Sequence, residues 1–133
     1  MKSMEDSPAI GGQIMKTMQS FLIFFYILNQ SYDPCKKDDI GGFLGAISPE
    51  LWEDGQPVDK AIFYDWQKFS NPKTVDKTNI MERIYIFLEY YEKEFGFDFS
   101  ETKQWFLNIE NEAVIEKAYD YTELMYQKFR YDN

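Results

Sequence analysis

The chain has 133 residues, 44% of them hydrophobic and 19% aromatic, and its 23 acidic against 14 basic side chains leave a net charge of −9. This size fits one domain with a sizeable core, and the apolar share excludes a disordered composition. The negative charge works against nucleic acid and anionic membrane, which are bound through Lys and Arg neutralising phosphate, and favours a basic protein partner or plain solubility.

Residues 1–11, with Pro8 and Gly11, read as a loose N-terminal arm. The first helix is expected from about Gln13 to Gln30, where Ile14, Met18, Phe21, Phe25 and Leu28 recur at helical spacing. Ile23, Phe24 and Ile27 make it apolar nearly all round, which places it at the centre of the core. Its apolar run after Lys16 imitates a secretion signal. Glu5 and Asp6 precede it, no small-residue cleavage site follows, and the run is too short to span a bilayer. The expectation is therefore a buried helix.

Asp33-Pro34 ends that helix. Asp39 is the expected N-cap of a short helix through Ile47. Gly41 and Gly45, four apart, weaken that helix, so they predict a backbone packed closely against it, the alternative being a flexible loop. Ser48-Pro49-Glu50 is a candidate new turn of helix, and Asp54-Gly55 with Pro57 a tight turn. Asp59 is expected to cap a helix through about Phe69 with Ile62, Trp66 and Phe69 inward, and Asn71-Pro72 stops it.

The clearest helical pattern runs from Thr74 or Asp76 to Phe95, with Ile80, Ile84, Phe87, Leu88, Tyr91 and Phe95 on one face and Gly96 as C-cap. Ser100 is the expected cap of a helix from Glu101 to Ile109, burying Trp105, Phe106 and Ile109. The last helix is expected from about Glu112 to Phe129 on the stripe Val114, Ala118, Tyr121, Met125, Phe129. No bounded stretch alternates apolar and polar residues. The fold class is thus all-α, a single-domain bundle of five to six helices, with Tyr85, Tyr90, Tyr91, Tyr119, Tyr121, Tyr126 and Tyr131 read as core residues whose hydroxyls reach towards solvent, and interface hot spots as the alternative.

The chemistry available is narrow. There is no histidine, which removes Ser–His and Cys–His nucleophiles and the commonest zinc ligand, and the single Cys35 allows no intrachain disulfide. The lone cysteine fits a reducing compartment. Gly41-Gly42-Phe43-Leu44-Gly45 lacks the Lys-Ser/Thr of a phosphate loop. The carboxylates between Asp38 and Asp59 do not have the spacing of a calcium loop. No catalytic residue, metal or cofactor is expected.

Residues 38–66 hold seven acids against one base, which is −6 of the total charge. This stretch resembles a group of small bacterial immunity proteins encoded beside polymorphic or contact-dependent growth-inhibition toxins. The resembling parts are Asp38-Asp39-Ile40-Gly41-Gly42-Phe43-Leu44-Gly45, then Asp54-Gly55-Gln56-Pro57-Val58-Asp59, then Asp65-Trp66. It departs from that pattern at Lys60, where proline is usual, at Phe63-Tyr64, where a tryptophan and an acid are usual, and in the spacer Ser48-Pro49-Glu50. The resemblance implies a non-enzymatic protein that binds and neutralises its producer's own toxin, often a basic nuclease. With Asp39 and Asp59 spent as caps, Asp38, Glu50, Glu53 and Asp54 are the expected partner-binding residues. A small metal- or carboxylate-dependent hydrolase and a helical adaptor without a toxin partner are the alternatives.

Overall fold

A computed structural model describes residues 16–32, 38–48, 60–70 and 75–128, with Phe69 and Ser70 described by backbone alone. Six helices follow one another: α1 (Thr17–Ser31), α2 (Ile40–Ile47), α3 (Lys60–Ser70), α4 (Ile80–Phe95), α5 (Ser100–Asn108) and α6 (Asn111–Lys128). The described residues contain no strand, and the helices form one small all-α domain, as the spacing of the apolar residues predicts.

α1 packs against every other helix, most extensively against α6. Its Phe21, Leu22, Ile23, Phe24, Ile27 and Leu28 are fully buried, so the all-round apolar sequence has the central position it requires. Three of the buried hydroxyls bond back to their own helix. Ser20 Oγ donates to Thr17 O at 3.0 Å, Ser31 Oγ to Leu28 O at 2.7 Å, and on α6 Thr122 Oγ1 to Ala118 O at 2.8 Å. Each of these three hydroxyls is thus satisfied within its own helix.

Trp66 of α3 lies wholly inside, stacked on Phe24 at 4.6 Å between ring centroids and met edge-on by Phe87 at 5.4 Å. Its indole N–H donates to Ser20 Oγ at 2.9 Å. α1, α3 and α4 therefore meet on one aromatic cluster with its polar atom satisfied.

Several details differ from the expectations. The regular part of α4 begins at Ile80. Asp76 nevertheless works as the start signal, because its carboxylate accepts Thr78 N–H at 2.8 Å and Asn79 N–H at 3.2 Å while Asn79 Oδ1 accepts Asp76 N–H at 2.9 Å. Phe95, expected inside, is 58% exposed because α4 ends there and no helix among the described residues covers its last turn. On α6 the inward stripe is Ile115, Ala118, Thr122 and Met125, while Val114 and Tyr121 sit half-buried at its edge. A threonine that pairs its own hydroxyl replaced an apolar signal, which shifts the stripe by one residue. On α5 only Thr102 and Phe106 are buried, with Trp105 and Ile109 half-buried. Among the tyrosines, Tyr91 is buried, Tyr85, Tyr119, Tyr121 and Tyr126 are half-buried, and Tyr90 is exposed.

Among the described residues the glycines of α2 mark no backbone contact. A Cβ on Gly41 would come within 2.9 Å of the Tyr32 ring, a side chain, whereas one on Gly45 would meet no atom of the described residues within 4 Å. Gly45→Ala is therefore expected to stabilise the fold by up to about 1 kcal/mol, through helix propensity alone. A urea titration showing destabilisation would restore the close-packing reading. Gly96 does carry a backbone requirement. Its φ of 77° ends α4 in the left-handed conformation, and its N–H bonds Glu92 O at 3.1 Å.

Candidate interaction surface at the start of α2

The expected partner-binding residues are divided by the structure. Glu50, Glu53 and Asp54, like Asp59, Trp52 and Tyr131, lie outside the described residues. Asp38 lies in a corner where the start of α2 meets the turn between α4 and α5.

That turn is built locally. After Gly96 reverses the chain, Asp98 Oδ1 accepts both Ser100 N–H at 2.9 Å and Ser100 Oγ–H at 2.7 Å. Asp98, not Ser100, is thus the residue that starts α5. The side chain of Glu92, one turn before the end of α4, accepts Phe99 N–H at 2.8 Å and pairs with Lys103 Nζ at 2.7 Å. This pairing raises the pKa of Lys103 above its ordinary value, with Glu92 as the largest cause. Lys103 Nζ also lies 5.7 Å from the Tyr85 ring centroid, a cation–π distance.

α2 is then fastened to this turn by both of its leading acids. Asp39 N–H donates to Asp98 O at 2.9 Å, and Asp98 N–H donates to Asp39 Oδ2 at 2.7 Å. Asp38 Oδ2 accepts Thr102 N–H at 2.8 Å and Thr102 Oγ1–H at 2.9 Å, while its Oδ1 accepts Ile40 N–H at 2.9 Å. The expected division of labour is corrected here. Asp39 stands at the N-cap but makes no capping bond with its side chain, and Asp38, expected to be free for a partner, has both oxygens engaged within the chain.

Hydrogen bonding from Ser100, first its N–H and then its hydroxyl, lowers the pKa of Asp98 below 3.8, and Thr78 does the same for Asp76. A carboxylate with a depressed folded pKa stabilises fully above its unfolded range and loses that contribution as pH falls through the folded value. Thermal stability is therefore expected to decline as pH drops from about 5 towards 2, and Asp76→Asn with Asp98→Asn to flatten that decline. An unchanged slope in melting curves across this range would assign the acid sensitivity to other carboxylates.

Beside this corner the aromatic core reaches the surface. Phe43 of α2 meets Phe99 at 5.3 Å, Phe99 stacks on Phe97 at 5.3 Å, and Phe97 lies against Tyr91 at 5.9 Å. Tyr91 continues to Phe95 at 4.7 Å, and its hydroxyl donates to Asp65 Oδ2 at 2.7 Å. Sequence reasoning missed Asp98, Thr102 and the outward rings. The Asp98-Phe99-Ser100 cap was legible as an Asp two residues before a serine, but the partnership of Asp38 with Thr102 spans 64 positions and has no local signal.

No group of three potential metal ligands occurs among the described residues. In this corner Asp38, Asp39 and Asp98 lie beside the rings of Phe43, Phe97 and Phe99. Comparison with protein-family models, with curated proteins and with solved structures returned no match. Among the described residues no helix is long and apolar enough to cross a membrane.

Proposed function

We propose that the chain is an immunity protein that acts in the bacterial cytoplasm by binding and neutralising a cognate, basic toxin, without enzymatic activity. The observation that carries this reading is the stretch 38–66, where seven acids stand against one base within the pattern that resembles immunity proteins. An acidic surface raises the rate of encounter with a basic protein and suppresses wrong partners. A nuclease toxin is basic because its substrate is anionic, so the charge signs agree.

Coexpression with the toxin domain encoded beside the gene is expected to restore growth of a sensitive strain. A gene neighbourhood without a toxin, or no protection by the intact chain, would overturn the reading and favour the adaptor or hydrolase alternatives. Asp38 is a fold residue as well as a charge, so the charge test uses Glu50→Gln, Glu53→Gln and Asp54→Asn. Together they are expected to slow association roughly threefold to tenfold at low salt and to reduce its salt dependence, with folding unchanged. Surface plasmon resonance at two salt concentrations reads this directly. An unaltered association rate would place the toxin contact elsewhere.

A further inference from the structure

Exposed aromatic surface gathers at the C-terminal end of α4. Tyr90 is 37% and Phe95 58% exposed, with ring centroids 6.4 Å apart and nearly perpendicular planes. Phe95 rests on buried Tyr91, which Asp65 holds by its hydroxyl, and half-buried Phe97 stacks on buried Phe99 at an interplanar angle of 8°. The outer rings are thus backed by rings fixed in the core, and little conformational freedom remains to be lost when a partner covers them. Exposed carboxylates border them: Glu94 precedes Phe95, Asp98 lies between Phe97 and Phe99, and Asp39 is bridged to Asp98.

We infer that this patch is a docking surface for a basic protein segment that presents arginine side chains. Aromatic faces attract cations, and a guanidinium is flat, weakly hydrated and able to stack while its N–H groups reach a carboxylate. Lysine offers a compact, strongly hydrated charge and gains less from the same rings. The net charge of −9 disfavours a second copy of the chain as occupant and favours a cationic one. The identity of the partner as a toxin rests on the proposed immunity function; the chemistry of the patch does not.

The test is a nuclear magnetic resonance titration of the full chain with an octa-arginine peptide and an octa-lysine peptide near physiological ionic strength. Octa-arginine is expected to bind more tightly and to shift the signals of Tyr90, Phe95 and Phe97. Tyr90→Ser with Phe95→Ser is expected to weaken it by about fivefold or more, with the circular dichroism spectrum retained. If that variant loses helical signal, Tyr90→Ser with Glu94→Gln makes the same comparison without touching Phe95. Equal affinity of folded variant and parent, equal binding of both peptides, or shifts confined to the acids of α6 would overturn the inference. In the coexpression assay, a folded variant that still protects fully would also overturn it as the toxin site. Failure of the parent chain to protect would count against the immunity function alone, because the peptide comparison decides the patch separately.

Discussion

Trp66→Ala is expected to cost about 3–5 kcal/mol, a large share of the stability of a domain of this size. The side chain is completely buried, its face lies on Phe24, its edge meets Phe87, and its N–H is bonded to Ser20 Oγ. Truncation removes the bulkiest fully buried side chain among the described residues and leaves a cavity between three helices. Trp66→Phe retains most of the stacking. It removes one hydrogen bond but leaves no orphaned donor, because Ser20 Oγ already donates to Thr17 O, so it is expected to cost only about 1–2 kcal/mol. Urea denaturation of the pair separates a core role from an interface role. Unchanged midpoints for Trp66→Ala would contradict the packing described here.

Asp38→Ala is expected to cost about 2–3 kcal/mol, more than any other substitution of a described acid at this corner. Three donors converge on its two oxygens, and two of them belong to Thr102, which is itself fully buried. Removing the carboxylate leaves the first turn of α5 with an unsatisfied N–H and hydroxyl, and leaves α2 fastened to the turn by Asp39 alone. Asp39→Ala removes one acceptor bond from an exposed residue and is expected to cost less, about 1 kcal/mol. Thermal melts of the two variants, alongside Thr102→Val, test this order. Equal or reversed effects would mean that Asp38 is held in place rather than holding. The same contrast separates stability from recognition, because a partner-binding role for Asp38 can be measured only after its loss of fold stability has been subtracted.

Much of the fold was legible because helices are specified locally. Apolar residues at intervals of three and four, a proline after Asp33 and a glycine after Phe95 are patterns within a few turns of chain, and backbone hydrogen bonds four residues apart make them decisive. The central place of α1 followed from its being apolar all round, and the burial of Trp66 from its sharing a face with Ile62. Where the expected stripe slipped, as in α6, the cause was also local: Thr122 enters the core by donating to Ala118 O, which its polarity conceals.

The candidate site was less legible, and for a different reason. A carboxylate can cap its own helix, bond a distant N–H or face water, and nothing in its neighbours along the chain ranks these outcomes. Asp38 and Asp39 are chemically identical and adjacent, yet one holds Thr102 and the other Asp98. Their assignments follow from the angle at which α2 meets the α4–α5 turn. Phe95 and Tyr91 likewise share the inward face of α4 by spacing, yet Tyr91 is buried while Phe95, in the last turn, lies at the surface with no described helix over it. Composition and periodicity therefore determined an acidic, all-helical domain and the positions of its helices. The pairing of side chains distant along the sequence, and with it which acids and rings remain available to a partner, was decided by tertiary packing, because hydrogen-bond partners and solvent exposure are properties of neighbours in space.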